Sequence, residues 1–117
     1  MPPYTHLSVE PLGNASVIRL GVPRIVDDPV TDALRHEVAA AIAAATPPNI
    51  IIDLSGVQLV SSAGIAFFRD IYRAATARKG QAVLAGPQAD IRKLMRMVGL
   101  DTIFSIHDDV AAAAAAF

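Results

Sequence analysis

The sequence predicts an α/β fold in which a mixed, mostly parallel β-sheet of about five strands carries about four α-helices. Residues 50–52 form a run of three isoleucines without polar alternation, which is typical of a strand covered on both faces. Strand-like and helix-like segments alternate in the second half, which indicates right-handed crossovers between parallel strands. No linker or repeat divides the 117 residues, so we expect one domain over residues 1–117.

The chain begins with a predicted β-hairpin. Residues 4–10 and 15–20 have strand character, and residues 11–14 supply a turn in which Gly13 and Asn14 can take positive φ. This hairpin adds an antiparallel edge to the sheet. We expect residues 21–26 to be irregular, because Pro23 would interrupt a central strand.

A helix start follows at Asp27-Asp28-Pro29, where an aspartate cap precedes a proline at the first helical position. Apolar residues then recur at three- and four-residue spacing, which is typical of one buried helix face. These residues are Val30, Ala33, Leu34, Val38, Ala41, Ile42 and Ala45. The prolines at 47 and 48 end the helix.

The next predicted helix covers residues 62–78, and Gly80 follows as a residue suited to a C-terminal cap. Its expected inner face consists of Ile65, Phe68, Tyr72 and Ala75.

A short strand at residues 81–85 leads to a third helix, which ends at Gly99. Its apolar stripe is Ile91, Leu94, Met95 and Val98. We expect a last strand at residues 102–106, followed by an alanine-rich helix that Asp108 caps and that ends at Phe117.

Composition limits the possible functions. Hydrophobic residues make up 53% of the chain but aromatic residues only 5%, so the core should be aliphatic. A net charge of −1 argues against nucleic-acid binding, which requires many cations against phosphates. The first six residues do not resemble a signal peptide, and no apolar run approaches the ~18 residues of a membrane helix. We therefore expect a cytoplasmic, soluble protein without direct membrane insertion.

The main candidate site is the serine pair Ser61-Ser62, which lies between a buried strand and a helix start. A serine at this position can cap the helix through its hydroxyl oxygen. The same position favours a phosphate, because free N–H groups and the positive end of the helix dipole converge there. The pair also follows the carboxyl end of a strand, where open α/β sheets place functional groups. A cap and a phosphorylation switch both fit these residues.

Other chemistries have weaker support. The serine pair lacks the Gly-x-Ser-x-Gly elbow of a nucleophilic serine, so we predict no catalytic residue and no enzyme. His6, His36 and His107 are widely spaced and the chain has no cysteine, so we expect no metal site. We interpret His36 as a surface residue and His107 as a loop residue.

The remaining charged residues favour structural roles. The pairs Asp27-Asp28 and Asp108-Asp109 each precede a predicted helix, where they can cap it. Without phosphate-binding glycine spacing, no cofactor is expected. The arginine and lysine clusters at residues 69–79 and 92–96 are interpreted mainly as solvated helix faces.

Two separated motifs resemble the STAS domain family, the sulfate transporter and anti-sigma factor antagonist domains. The first is Asp53-Leu54-Ser55-Gly56-Val57 with residues 61–65 shortly after it, and the second is residues 98–104. The resemblance covers the chain from about Asn14 onward and is strongest to the stand-alone bacterial antagonists. It implies a small sheet with helices packed mainly on one side, which agrees with the order of elements predicted above.

The resemblance also implies a function. Such antagonists bind an anti-sigma factor that is a serine kinase, and so release a sigma factor for transcription. Phosphorylation of one serine by this kinase abolishes binding, and a metal-dependent serine phosphatase restores it. On this sequence the phosphorylated position falls on Ser62, with Ser61 as the alternative, and Gly64 matches the motif glycine.

Three features differ from the usual family pattern. Ser61 stands where the family usually has aspartate, and Ala63 where it often has serine or threonine. Residues 21–26 form a longer loop than the family's Gly-x-Leu-Asp turn, with Asp27 or Asp28 in place of its acid. The predicted partner-contact face consists of Asp27, Ser61, Ser62, Gly64, Ile65 and Phe68.

One alternative stays within the family. Some small STAS proteins are accessory subunits that dock on the ATPase of a membrane ABC transporter through the same helix and serine turn.

Overall fold

The computed structural model describes residues 4–117, which form a five-stranded mixed sheet, a separate strand pair and four α-helices. The strands are β1 Leu7–Leu12, β2 Ala15–Leu20, β3 Arg24–Ile25, β4 Asn49–Asp53, β5 Leu59–Val60, β6 Gln81–Ala85 and β7 Ile106–His107. The main sheet has the order β1-β2-β4-β6-β7, and β3 pairs with β5 outside it. Only the β1–β2 pairing is antiparallel. The predicted α/β fold with an N-terminal hairpin is confirmed.

The helices lie unequally on the two faces of the main sheet. They are α1 Pro29–Ala44, α2 Ser62–Ala77, α3 Ala89–Met97 and α4 Val110–Ala114. Helices α1, α2 and α3 share one buried cluster with Ile18, Ile50, Ile52 and Leu84 of the sheet, whereas Ala113 of α4 packs on Val17, Ile51 and Val83 on the opposite face. Three helices on one face and one short helix on the other confirm the expected arrangement.

The isoleucine run forms the centre of the molecule. Ile50, Ile51 and Ile52 lie on β4, the middle strand, and each is fully buried. Because side chains alternate along a strand, Ile50 and Ile52 contact the three-helix face while Ile51 contacts the α4 face. The missing polar alternation therefore reflects a strand covered on both sides.

Helix α1 begins as its sequence predicts. Asp28 is the N-cap, Pro29 is the first helical residue, and the Thr31 N–H donates to Asp28 Oδ1 at 2.8 Å. This backbone bond is the main reason why the pKa of Asp28 is lowered. Val30 departs from the predicted buried face: it is 43% exposed, and Thr31 is buried in the first turn instead.

Helix α2 presents a slightly different face from the predicted one. Phe68 and Ala75 are buried as expected, but Ile65 and Tyr72 are only half-buried. The centre of the inner face is rotated toward Phe67 and Ile71, which are 1% and 3% exposed. The periodicity predicts the helix, but the side chains that are covered depend on its neighbours, which are α1, β5, β6 and the turn at Leu100–Thr102.

The end of α2 places the left-handed residue one position earlier than predicted. Lys79 has φ +59°, and the Lys79 and Gly80 N–H groups donate to Thr76 O and Ala75 O at 2.9 Å each. This pattern is a Schellman cap with lysine at the left-handed position. Gly80 serves a different purpose, because a Cβ there would lie 2.0 Å from Pro48 O.

Two short pairings near the start of the chain were not predicted in full. β1 runs on to Leu12, and of the two turn residues only Gly13 takes positive φ, at +59°. The segment expected to be irregular contains β3, whose Arg24 and Ile25 pair with Leu59 and Val60. Pro23 lies beside this pair, and its carbonyl accepts bonds from the Gln58 and Leu59 N–H groups.

The C-terminal third also differs in detail from the prediction. Leu100–Thr102 form a 3-10 turn, and the last strand is limited to Ile106–His107. His107 is therefore a strand residue, and its Nε2 is buried without a hydrogen-bond partner in residues 4–117.

The final helix has a different cap from the expected one. Asp109 is the N-cap of α4 and accepts from the Ala112 N–H at 2.7 Å. Asp108, the predicted cap, instead pairs with Arg92 at 2.6 Å. Helix α4 ends at Ala114, three residues before Phe117.

Within residues 4–117, no helix combines the length and the apolar character needed to cross a membrane. Over the same range, no group of three or more His, Asp or Glu side chains is arranged to hold a metal ion. The first three residues, on which part of the signal-peptide expectation rests, lie outside the described residues.

Candidate functional site

The serine pair and Asp27 lie on two segments that leave the β3–β5 pair from the same end. Ile25 and Val60 are paired in parallel, so the loop after β3 and the turn after β5 emerge side by side. The first segment carries Asp27 into α1, and the second carries Ser61 and Ser62 into α2. The fold thus brings together residues that are more than 30 positions apart in the sequence.

Ser61 is the N-cap residue of α2 but does not cap the helix with its side chain. Its N–H donates to Ile25 O at 3.0 Å, and its Oγ lies 3.4 Å from the same oxygen as a weaker donor. The side chain is half-buried as a result. The expected bond from a helix N–H to this hydroxyl is absent, because the hydroxyl turns toward β3.

Ser62 is the first residue of α2 and is exposed. The side chain of the N-cap residue, Ser61, accepts no hydrogen bond from the N–H groups that follow it. The first N–H groups of an α-helix have no acceptor inside the helix, and they attract negative charge. The turn therefore presents one accessible hydroxyl beside a helix end that favours an anion.

Gly64 allows α2 to start this close to β3. A Cβ at this position would lie 2.7 Å from Ile25 O and 2.6 Å from Val60 Cγ1. Since real Cβ atoms do not approach a backbone oxygen that closely, any larger residue would push the first turn of α2 outward. The motif glycine is explained by this packing, and because Gly64 is buried it does not belong to an accessible contact face.

The predicted contact face also needs correction at Phe68. This side chain is fully buried and packs edge-to-face on Phe67, with ring centroids 5.4 Å apart. It belongs to the core. Asp27 is exposed and Ile65 is half-buried, so both remain near the surface around Ser62.

The sequence analysis missed two exposed apolar side chains, one next to the serine turn and one at the start of α1. Leu59 lies on β5, two residues before Ser61, and is 51% exposed. Val30 lies in the first turn of α1 and is 43% exposed. Leu59 gave no signal because β5 is too short for a recognisable alternation, and Val30 fitted the apolar period of its helix. We call Leu59, on β5, and Ile65, in the first turn of α2, the apolar rim of the site.

A buried carboxylate anchors the loop that leads to the serine turn. Asp53, at the end of β4, is 5% exposed; its Oδ2 accepts from Arg19 Nε at 2.8 Å and its Oδ1 accepts from the Ser55 N–H at 3.0 Å. Arg19 also pairs with Glu10 at 2.7 Å. Burial on its own would raise the pKa of Asp53, but the bonds from Arg19 and Ser55 outweigh it and hold this pKa below its usual range.

Several basic residues bind groups within the chain. Arg78 Nη1 donates to the Ile42 and Ala45 carbonyls at the end of α1, and Arg92 pairs with Asp108. Arg35 of α1 joins Asp70 and the Ala63 carbonyl of α2. His36, exposed as expected, lies with its Nδ1 2.9 Å from Asp32 O.

The STAS domain family model matches residues 7–113. The chain therefore belongs to the STAS domain family, as its two motifs indicated. A comparison with curated proteins finds no match.

Solved structures share this fold at low sequence identity. An anti-sigma factor antagonist from Mycobacterium paratuberculosis superposes with a TM-score of 0.80 at 24% identity, over 94% of this chain and 91% of that one. The antagonist SpoIIAA in its unphosphorylated form gives 0.68 at 22% identity, over 86% of both chains. The phosphorylated form of SpoIIAA, from Bacillus, gives 0.61 at 23%, over 86% of this chain and 89% of that one.

The same fold also occurs within a much larger protein. The murine Solute Carrier 26 family member A9 anion transporter superposes with a TM-score of 0.75 at 16% identity, over 92% of this chain but only 19% of the transporter. At these identities the likeness establishes the fold, and the function has to be argued from the site.

The anchor at Asp53 predicts a pH-dependent contribution to stability. Asp53→Asn should lower the free energy of unfolding near neutral pH by about 1.5–3 kcal/mol, because a charge-assisted bond to Arg19 is lost. A carboxylate with a lowered folded-state pKa stabilises the protein above its unfolded pKa and loses this contribution as the pH falls through the folded value. The gap between wild type and Asp53→Asn should therefore narrow below about pH 4. Denaturant unfolding at a series of pH values measures this difference in the free energy of unfolding. A difference that stays constant down to pH 2 would contradict this account.

Proposed function

We propose that this protein is an anti-sigma factor antagonist that binds a serine-kinase anti-sigma factor and is switched off by phosphorylation of Ser62. The observation that carries the proposal is the exposed Ser62 hydroxyl at the first position of α2, beside an uncapped helix end. In this proposal residues 1–117 act as one regulatory domain without catalytic residues or a cofactor. A metal-dependent serine phosphatase would restore the active form.

The geometry favours Ser62 over Ser61 as the phosphorylated residue. A kinase must reach the hydroxyl and bring it in line with the γ-phosphate of ATP, which requires an accessible side chain. Ser62 is exposed, whereas Ser61 is half-buried and directs its Oγ toward Ile25 O. Phosphorylation of Ser61 would also place a phosphate against this carbonyl oxygen, which repels negative charge.

The fold can accept a phosphate on Ser62 without rearrangement. Phosphorylation adds about −1.5 to −2 charges and three acceptor oxygens. At the start of a helix this charge is stabilised by the dipole and by free N–H groups. The effect of the phosphate would then fall on the partner, through charge repulsion and desolvation within the interface.

The proposed contact face consists of Asp27, the two serines and the apolar rim. Hydrophobic side chains such as Leu59 can supply binding energy by entering an apolar pocket of the partner, while polar groups at the edge set specificity. Ser62 lies within this set, so one phosphate is enough to change the face from apolar and weakly acidic to strongly negative. Asp27 adds a nearby acid, in keeping with the acidic side chain that the family has in this loop.

A transporter role is the second candidate. The likeness to the anion transporter shows that this fold also serves within membrane transport systems. An accessory subunit of an ABC transporter would use the same exposed turn to dock on an ATPase. Neighbouring genes for a kinase and phosphatase favour the first role, and neighbouring permease and ATPase genes favour the second.

Incubation with ATP and the candidate kinase, followed by mass spectrometry, tests the phosphorylated position. We expect one phosphate, on Ser62, which Ser62→Ala abolishes and Ser61→Ala leaves in place. A phosphate only on Ser61 would show that Ser61, and not Ser62, is the phosphorylated residue. No phosphate under saturating kinase would favour the transporter role.

A phosphomimetic variant separates binding from folding. Ser62→Asp should unfold at nearly the wild-type temperature but bind the kinase more weakly by several kcal/mol, on the order of a hundredfold or more. Ser105→Asp, which adds the same charge at an exposed position near β7, serves as the control and should bind normally. Calorimetry with the kinase and thermal unfolding provide both measurements. A large loss of stability with intact binding would refute the proposed switch.

The apolar rim can be tested with a matched pair of truncations. Leu59→Ala should weaken kinase binding by about 1–2 kcal/mol, because an exposed leucine at an interface buries its side chain on association. Met97→Ala removes an even more exposed apolar side chain, 75% accessible, at the end of α3, and should leave affinity unchanged. Equal effects of the two truncations would place the interface elsewhere.

A further inference from the structure

One side chain of α1 contacts both the start and the middle of α2. Arg35 Nη2 donates to Ala63 O at 3.3 Å, and Arg35 Nη1 donates to Asp70 Oδ2 at 2.9 Å. Ala63 follows Ser62 directly, and Asp70 lies two turns further along α2. The guanidinium group therefore spans the first two turns of α2 from the neighbouring helix.

Packing between the two helices is incomplete beside this bridge. A half-open groove of about 170 Å³ runs between α1 and α2, which are otherwise in contact, and Arg35 and Asp70 are among the residues that line it. Its apolar lining includes Val38 and Phe67, and the small side chains Ala39 and Ala74 leave the remaining space. Since side chains do not fill the gap, the polar bridge has a larger share in fixing the distance between the helices than it would across a tight interface.

The bridge joins the two halves of the proposed contact face. Asp27 lies in the loop directly before α1, whereas Ser62 and Ile65 belong to the start of α2. A partner that contacts both halves binds best when their relative position is fixed before association, because less ordering is then required. Only 35% of the Arg35 side chain is accessible. It can therefore influence the contact face through its bonds to α2.

We propose that Arg35 is a positioning residue, which holds the first turn of α2 against α1 and so pre-organises the Ser62 face for its partner. This inference rests on the proposed function for its binding consequence and on the helix contacts alone for its structural consequence. Arg35 does not need to touch the partner. Because exposed ion pairs contribute little to overall stability, its effect should be local.

Hydrogen exchange in the free protein tests the structural part. The Ile65 N–H, which donates to Ser61 O at 3.2 Å, reports on the first turn of α2. Arg35→Gln should increase its exchange rate severalfold while the melting temperature changes little. Arg73→Gln is the matched control, because Arg73 lies 3.8 Å from the other Asp70 oxygen and is 77% exposed; it should leave Ile65 unchanged. Equal effects of both variants, or none, would overturn the proposal.

Filling the groove provides a rescue. Ala74→Met places a flexible apolar side chain in the gap, and in the Arg35→Gln background it should restore slow exchange at Ile65. Arg35→Lys keeps the charge but cannot span both acceptors, so it should behave like Arg35→Gln. Full protection in Arg35→Lys would show that charge alone matters, contrary to the proposal.

Binding to the unphosphorylated kinase partner tests the functional part. Arg35→Gln should lower affinity by about fivefold, at the lower end of typical coupling between separate positions, and Ala74→Met should recover it. If exchange responds but affinity does not, Arg35 has no positioning role in docking. If the wild-type protein does not bind the kinase at all, the proposed function fails, and the exchange measurements still decide whether Arg35 holds the turn.

Discussion

The close approach of α2 to the β3–β5 pair is the constraint on which the site depends. One backbone oxygen, Ile25 O, accepts from the Ser61 N–H and lies where a side chain on Gly64 would be. Because glycine leaves that space open, the helix starts against this carbonyl, and the Ser61 hydroxyl turns inward toward it. Ser62, one residue later, then faces solvent. Backbone packing thus decides which of the two adjacent serines is accessible.

The segment between β4 and α2 is held to the rest of the protein at several points. Asp53 binds the Ser55 N–H at its start, and the Pro23 carbonyl accepts from Gln58 and Leu59 near its end. Val57, between these points, is fully buried. A loop fixed in this way keeps Leu59 exposed without losing backbone order. Because the backbone of Leu59 is already ordered, binding through its side chain costs little backbone entropy.

The sequence was informative where structure is determined locally, and less so where it depends on distant neighbours. Asp28-Pro29 starts a helix through bonds within one turn, and the isoleucine run reports its own burial, so both could be predicted. The β3–β5 pair could not, because two residues per strand carry no periodic signal. Whether Val30, Ile65 and Phe68 are buried or exposed depends on how each helix is rotated about its axis. A periodic pattern determines this rotation only to within about one residue position. The sequence singles out the serine pair as a candidate, but the orientation of Ser61 depends on Ile25, which lies 36 residues away.

The departure at position 61 affects what a phosphate would meet at Ser62. The family usually has aspartate there, and an aspartate at a helix N-cap would accept bonds from the first N–H groups and compensate the dipole. Ser61 does neither, because its hydroxyl faces Ile25 O. The start of α2 therefore keeps more of its capacity for negative charge than an aspartate-capped helix would. In the proposed switch, a phosphate on Ser62 would accept hydrogen bonds from these N–H groups in place of the aspartate. Phosphorylation would then stabilise the first turn of α2 and, at the same time, prevent the partner from binding there.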